Sequence, residues 1–202
     1  IVKGATLDDL DENAVAYYRK LRSKVNPNAE ELSYDDNDLL LALRACEKEK
    51  NGEYVLTYTG LIVFGKAMSL RRLLPALRVD YIRVSGNRWV EDPDKRFEAT
   101  IDMRGPLILL VNRALNAIKD DLPKGFKLRK GNLQADTPIE LPNDALREAL
   151  VNAFIHCSFR LNQPIQIIRY SNRLEVINPG FSLKSPETLG EPGSVQRNPF
   201  IS

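Results

Sequence analysis

Four polar side chains recur every fourth residue in the segment Asp144-Ala-Leu-Arg-Glu148-Ala-Leu-Val-Asn152-Ala-Phe-Ile-His156. On an α-helix that spacing sets Asp144, Glu148, Asn152 and His156 in one line. The other side of the same helix is apolar: Leu146, Ala149, Leu150, Ala153, Phe154 and Cys157 share a face, which Val151 and Ile155 widen. Such a helix is expected to be largely buried. Burying an ionised carboxylate without a partner costs several kcal/mol, about the figure for an effective ion penalty in a protein interior. The polar line therefore faces either solvent or a polar ligand. A carboxylate one turn from an amide suits metal–phosphate chemistry. An amide oxygen can ligate Mg²⁺, a hard ion that prefers oxygen, and a glutamate can orient or deprotonate a water. A solvated stripe held by pairs four residues apart uses the same spacing, so spacing alone leaves both readings open.

Other chemistries are narrowed by residue counts. Two cysteines, Cys46 and Cys157, and a single histidine cannot supply a four-ligand zinc site or a disulfide framework. A reducing, cytoplasmic setting is the expectation. Cys157 continues the apolar face and reads as core; Trp89 reads as packing. His156 ends the polar line and either contacts a ligand or sits at the helix C-terminus, where a cation is favoured. The run Gly60-Leu-Ile-Val-Phe-Gly65-Lys66-Ala67 nearly spells a phosphate loop, but Ala67 lacks the hydroxyl that such a loop offers to Mg²⁺. Its apolar centre is better used as buried helix.

Charge is close to balanced, with 29 Lys+Arg against 27 Asp+Glu and a net charge of +2. Bulk charge does not announce a nucleic-acid partner. It is unevenly spread, however: the first 53 residues hold twelve acids and eight bases, and residues 54–104 hold six acids and nine bases. Arg71, Arg72, Arg78, Arg83 and Arg88 could face DNA or only solvent. Lys124, Lys127, Arg129 and Lys130 are the tightest basic cluster. The longest apolar runs, Leu107–Val111 and Leu61–Phe64, fall far short of the roughly 20 residues of a membrane span, so no membrane partner is expected.

The elements that must position the polar line follow from periodicity and punctuation. Ala14, Tyr17, Tyr18, Leu21 and Val25 predict a helix over 11–25, ended by Asn26-Pro27-Asn28. Asp35 or Asp36 can cap a second helix over 39–48. Asn51-Gly52 turns the chain into a short strand at 54–56, and Thr59 can cap a third helix over 60–66. Residues 78–84 alternate as a strand, Gly86-Asn87 turns, and Glu91-Asp92-Pro93-Asp94 reads as a seam. Beyond it lie a strongly amphipathic helix over 106–122 and a strand candidate over 126–133. The polar-line helix, capped by Asn143, comes next, followed by two strands, 164–170 and 174–178, joined at Ser171-Asn172-Arg173. The expected fold class is α+β. Residues 1–95 make a helical, winged-helix-like linker subdomain with a short sheet, and 96–202 make an α/β module. The chain starts on Ile and ends in Phe200-Ile201-Ser202, and is read as a piece of a longer polypeptide.

Three strings in this order, REALVNAFIHCSF, PIQIIRYSNRLEVINPG and RNPFI, resemble the C-terminal ATPase-like module of a prokaryotic family. Its members are described as RecG-related ATP-dependent DNA helicases or as transcriptional regulators. Upstream, LTYTGLIVFGK, LPALRVDYIRVSG and RFEATIDMRGPL resemble the segment that precedes that module. The likeness covers about residues 36–202. It implies a GHKL/Bergerat-type sandwich, truncated here at its C-terminus, that binds ATP with Mg²⁺. By position, Glu148 takes the place of the glutamate that positions the hydrolytic water, and Asn152 that of the Mg²⁺-binding asparagine. Asn178 and Gly180 fall on the Asp-x-Gly turn that reads adenine, with Asn in place of Asp. The next glycine of the pattern is Ser182 here. Complete members carry an AlbA-like, Schlafen-type DNA-binding domain that no segment of this chain resembles, so DNA would be met through the full-length protein. No helicase motor motif is present. The competing reading is a non-catalytic dimerisation or ligand-sensing scaffold with a degenerate nucleotide site, which calls for a homodimer.

Overall fold

The computed structural model describes residues 1–89, 97–122, 127–128, 135–136, 143–188 and 195–201. Helix α1 (Glu12–Val25) starts where Asp11 accepts from the N–H groups of Asn13 and Ala14. This satisfies donors that the first helical turn leaves orphaned. Its buried residues are Ala14 and Val15; Val25, expected on the apolar stripe, is 81% exposed. The basic side of α1 has a structural use. Arg19 donates to the Tyr34 carbonyl and pairs with Asp36, and Arg22 pairs with Glu31.

Helix α2 (Asp36–Ala42), capped by Asp35, is shorter than the expected 39–48 helix. Arg44 adopts φ 54°, a left-handed conformation that stops the helix. The following residues form β1 (Cys46–Lys48), antiparallel to β2 (Tyr54–Leu56), with Cys46 opposite Leu56. Cross-strand pairing here outweighs the helical spacing of Leu40, Leu43 and Cys46. Helix α3 (Tyr58–Phe64) is capped by Thr57, two residues before the expected Thr59. Thr57 Oγ1 accepts from the Gly60 N–H and donates to the Arg44 carbonyl, a tertiary bond that Thr59 does not make. A Cβ on Gly60 would stand 1.9 Å from the Ala45 carbonyl oxygen. The glycine of the near-phosphate loop thus serves close helix packing, and Leu61, Ile62 and Phe64 are buried. Helix α4 (Ala67–Leu73) follows.

A four-stranded sheet in the order β4-β3-β7-β8 carries the rest. Strand β3 (Val79–Val84) pairs antiparallel with β4 (Phe97–Met103) and parallel with β7 (Ile165–Arg169), and β7 pairs antiparallel with β8 (Leu174–Ile177). Between β4 and β7 the chain passes through α5 (Leu107–Asp121), the two-residue strands β5 (Lys127–Leu128) and β6 (Ala135–Asp136), and α6 (Asn143–Ile155). Most of the strand expected at 126–133, with Lys124, Arg129 and Lys130, lies outside the described residues, as does the seam at 91–94. Of the stripe expected in α5, Leu107, Leu110, Ala114, Leu115 and Ile118 are buried, while Val111 and Leu122 are half-buried. Strand alternation divides the sheet's residues. Val79, Tyr81, Ile165 and Ile167 join one continuous core with residues of α2, α3, α5 and α6, while Ile82, Val84, Ile168 and Tyr170 form a second small cluster. Helices α1 and α3 pack on α5, where Asn112 donates to the Tyr17 hydroxyl at 2.7 Å. The molecule is therefore a mixed α+β structure. No described helix is long and apolar enough to cross a membrane. Trp89, expected to pack, is 42% exposed.

Candidate functional site

Helix α6 buries less than its composition implies. Leu150, Ala153 and Phe154 are buried in the core and Cys157 follows them at 3% exposure, but Ala149 is exposed and Leu146 only half-buried. The helix packs against α5 and β8, and its buried residues lie in its C-terminal half. Burial pushes the Cys157 thiol up to about 12, which leaves it protonated and unreactive at neutral pH. Cys157 is core, as expected.

The polar line lies on the open side of the helix: Glu148 and Asn152 are exposed and His156 is half-buried. The β7–β8 hairpin delivers Asn178, Pro179 and Gly180 beside them, because β8 runs back along α6 and the Ser158 N–H bonds the Pro179 carbonyl at 2.8 Å. Gly180 sits at φ 126°, and a Cβ there would stand 3.3 Å from the Ser158 Cβ. Glycine alone takes this conformation at low cost. Glu148, Asn152, His156, Asn178 and Gly180 thereby line one cleft of about 630 Å³. Ligand sites commonly fall in this size range. The side chains of Glu148, Asn152 and Asn178 make no hydrogen bond or ion pair with the described residues. Their oxygens are available donors to a hard cation or acceptors for an amino group.

The sequence reading assigned no role to the rest of the lining. The segment Phe181–Lys184 continues from Gly180 along one wall, and Val195 and Arg197 come from the C-terminal end. Arg197 Nε donates to the His156 carbonyl at 3.2 Å, and its Nη2 donates to the Phe181 carbonyl at 2.7 Å. Asn198 donates to the carbonyls of Ile155 and Cys157, both at 2.8 Å. Three successive carbonyls that end α6 thus accept from this strap, a use of groups every helix C-terminus leaves free. The string Arg197-Asn198-Pro199 was the available signal, but it has no periodicity from which to place it.

Helix α6 also turns Val151, Phe154 and Ile155 toward a second, apolar cleft of about 400 Å³, shared with Tyr18, Val63 and Phe200. The basic residues expected to reach for DNA are partly engaged: Arg72 pairs with Asp9, Arg78 with Asp80, and Arg83 with Asp121 and Glu98. Arg71 and Arg88 are exposed.

A family model described as a domain of unknown function, DUF8451, matches residues 1–80. No curated protein matches the chain. Among solved structures, the crystal structure of the DIP2311 protein from Corynebacterium diphtheriae is similar, with a TM-score of 0.63 and 21% identity. The match covers 99% of this chain and 37% of that one, so the chain spans a little over a third of that neighbour's length. The likeness is one of fold.

Proposed function

We propose that the cleft beside α6 binds ATP with Mg²⁺, as the nucleotide module of a cytoplasmic, RecG-related, DNA-binding transcriptional regulator of GHKL/Bergerat type. One observation carries the reading: five residues singled out by sequence pattern, Glu148, Asn152, His156, Asn178 and Gly180, line a single cleft. The donor chemistry fits, since Asn152 offers a neutral oxygen and Glu148 a carboxylate one turn away, both without a side-chain partner among the described residues. Asn152 would hold Mg²⁺, which when bound offsets phosphate charge. Glu148 would orient a water and accept its proton. Asn178 would accept from the adenine amino group through its amide oxygen. Gly180 would let backbone approach the base. DNA contact belongs to the longer protein.

Asn178 in place of Asp and Ser182 in place of Gly favour a second reading, in which the cleft senses nucleotide without hydrolysing it, within a dimeric regulator. A neutral amide accepts more weakly than a carboxylate, since charge-assisted bonds are roughly twice as strong. Calorimetric titration with a non-hydrolysable ATP analogue and Mg²⁺ tests the shared premise. Saturable binding is expected, weakened about tenfold by Asn152→Ala, the loss of roughly one such contact. No binding by the wild-type chain, or binding unchanged in the variant, removes both readings.

A further inference from the structure

We infer that Arg197 is an anion-contact residue of this cleft and that the ligand is held there by a phosphate-type group as well as by its base. The inference rests on the nucleotide reading above and extends it to a residue outside the expected set. Arg197 lines the cleft together with Glu148 and Asn152. Its guanidinium is fixed from two sides, by the His156 carbonyl at the end of α6 and by the Phe181 carbonyl on the facing wall. The same group lies 5.1 Å over the Phe181 ring. Asn198, its chain neighbour, is tied to the carbonyls on either side of His156.

Arg197 makes no ion pair with any carboxylate among the described residues. Its hydrogen bonds with the described residues go to neutral carbonyls, its guanidinium lies over a ring, and it is only half-exposed. The other half-buried arginines among the described residues are used differently: Arg19, Arg22, Arg78, Arg83, Arg104 and Arg169 each face an aspartate or glutamate. A guanidinium has five N–H donors in a planar fork. Two nitrogens of Arg197 are occupied, and Nη1 makes no hydrogen bond with the described residues. A cation already immobilised by backbone contacts loses little conformational freedom when an anion arrives. Phosphate oxygens match its fork. The carbonyls at the end of α6 account for where the guanidinium sits, because a helix C-terminus favours a cation. They leave its charge without a counter-ion.

The test compares three ligands on the wild-type chain, Arg197→Gln and Arg197→Lys: a non-hydrolysable ATP analogue, adenosine, and inorganic tripolyphosphate. Expected is a loss of about tenfold or more in affinity for the triphosphate and for tripolyphosphate in R197Q, the scale of one charge-assisted contact. R197K, which keeps the charge and loses the fork, should lose less, and adenosine should bind all three proteins equally. Should R197Q fold poorly, the R197K comparison decides alone. Triphosphate and adenosine weakened in equal proportion would mean that Arg197 only shapes the wall, and would overturn the inference. Unchanged triphosphate affinity would overturn it too. If the wild type binds tripolyphosphate through Arg197 but neither adenosine nor the ATP analogue, the anion contact stands and the adenine-nucleotide reading falls. If it binds no ligand of the three, both fall.

Discussion

At the end of α5, Asp121 accepts from the Tyr81 hydroxyl at 2.7 Å, pairs with Arg83 at 2.6 Å and lies 3.4 Å from Arg169; Arg83 in turn reaches Glu98. Beside α6, the side chains of Glu148 and Asn152 accept from no described residue, and Arg197 forms no ion pair with a described carboxylate. Among the described residues the first region is a closed set of opposite charges, with two carboxylates for two guanidinium groups, supplied by β3, β4, α5 and β7. The second region holds a carboxylate, Glu148, and a guanidinium, Arg197, that form no ion pair among the described residues. Closed sets are what a fold uses to place strands against a helix end. Charge left unpaired on a concave wall is the kind of feature a ligand can use. Tyr81 shows the difference in its acidity: burial first, then its bond to Asp121, pushes the phenol far above its ordinary value.

The largest expected effect is therefore at Asp121. Asp121→Ala strands a Tyr81 hydroxyl that is 1% exposed. An orphaned buried donor costs about 1–3 kcal/mol, and urea unfolding should show a loss of about 2 kcal/mol. The same denaturation on Tyr81→Phe/Asp121→Ala should recover part of it, because no hydroxyl is then left unmet. A loss below about 0.5 kcal/mol, the scatter of ordinary surface changes, would mean that the network is not closed and would erase the contrast with the cleft.

Asn198 comes next, since the strap borders the open region while being itself fully bonded. Asn198→Ala removes donors from the Ile155 and Cys157 carbonyls. The expected destabilisation is about 1 kcal/mol, the scale of a lost cap. Because the strap holds one side of the cleft, amide exchange should quicken at the end of α6 and leave β3 unchanged.

The elements legible in the sequence are those whose signal is local. The stripe of α5 and the hairpin of β7 and β8 depend on residues within one turn or one hairpin, and they lie where the local signal puts them. Residues 43–48 differ. Their helical spacing is intact, but the left-handed Arg44 and the pairing of Cys46 with Leu56 decide the outcome, and that partner lies across a turn. Thr57 and Thr59 are equally good caps by type; a bond to the Arg44 carbonyl, made only in the folded chain, selects Thr57. At the cleft, the polar line on α6 was readable because a helix repeats. Arg197 and Phe181–Lys184 were not, since irregular segments reach their place through carbonyl bonds to distant backbone.

A smaller effect tests another closed pair by pH. Burial alone would raise the Asp9 carboxyl, but bonds from Ser69, the Thr6 N–H and Arg72 outweigh it and hold the group below its ordinary value. A depressed carboxyl contributes stability above the unfolded value and loses it as pH falls through the folded one. Asp9→Asn should therefore unfold more easily than wild type at pH 7. The gap between the two should narrow as pH drops below about 4, the ordinary Asp range. Thermal melts across pH 3–7 measure it, and parallel curves for the two proteins would show that Asp9 contributes nothing through its charge.

The smallest stability effects are expected in the cleft, and there the contrast is sharpest. Glu148→Gln and Asn152→Ala alter exposed side chains that make no hydrogen bond or ion pair with a described residue, on a helix whose core residues are Leu150, Ala153 and Phe154. Each should change unfolding free energy by no more than about 0.5 kcal/mol, the usual range for such surface positions. Alanine at 152 should even help slightly, because it is the better helix former. If either variant instead costs as much as Asp121→Ala, the polar line is part of the fold's own bonding, and the row of oxygens on α6 is not reserved for a ligand. If both are silent in unfolding while Asn152→Ala weakens Mg²⁺-nucleotide binding, stability and function separate along this one helix. Its inner face would then hold the core, and its outer face would be the one that answers to the nucleotide.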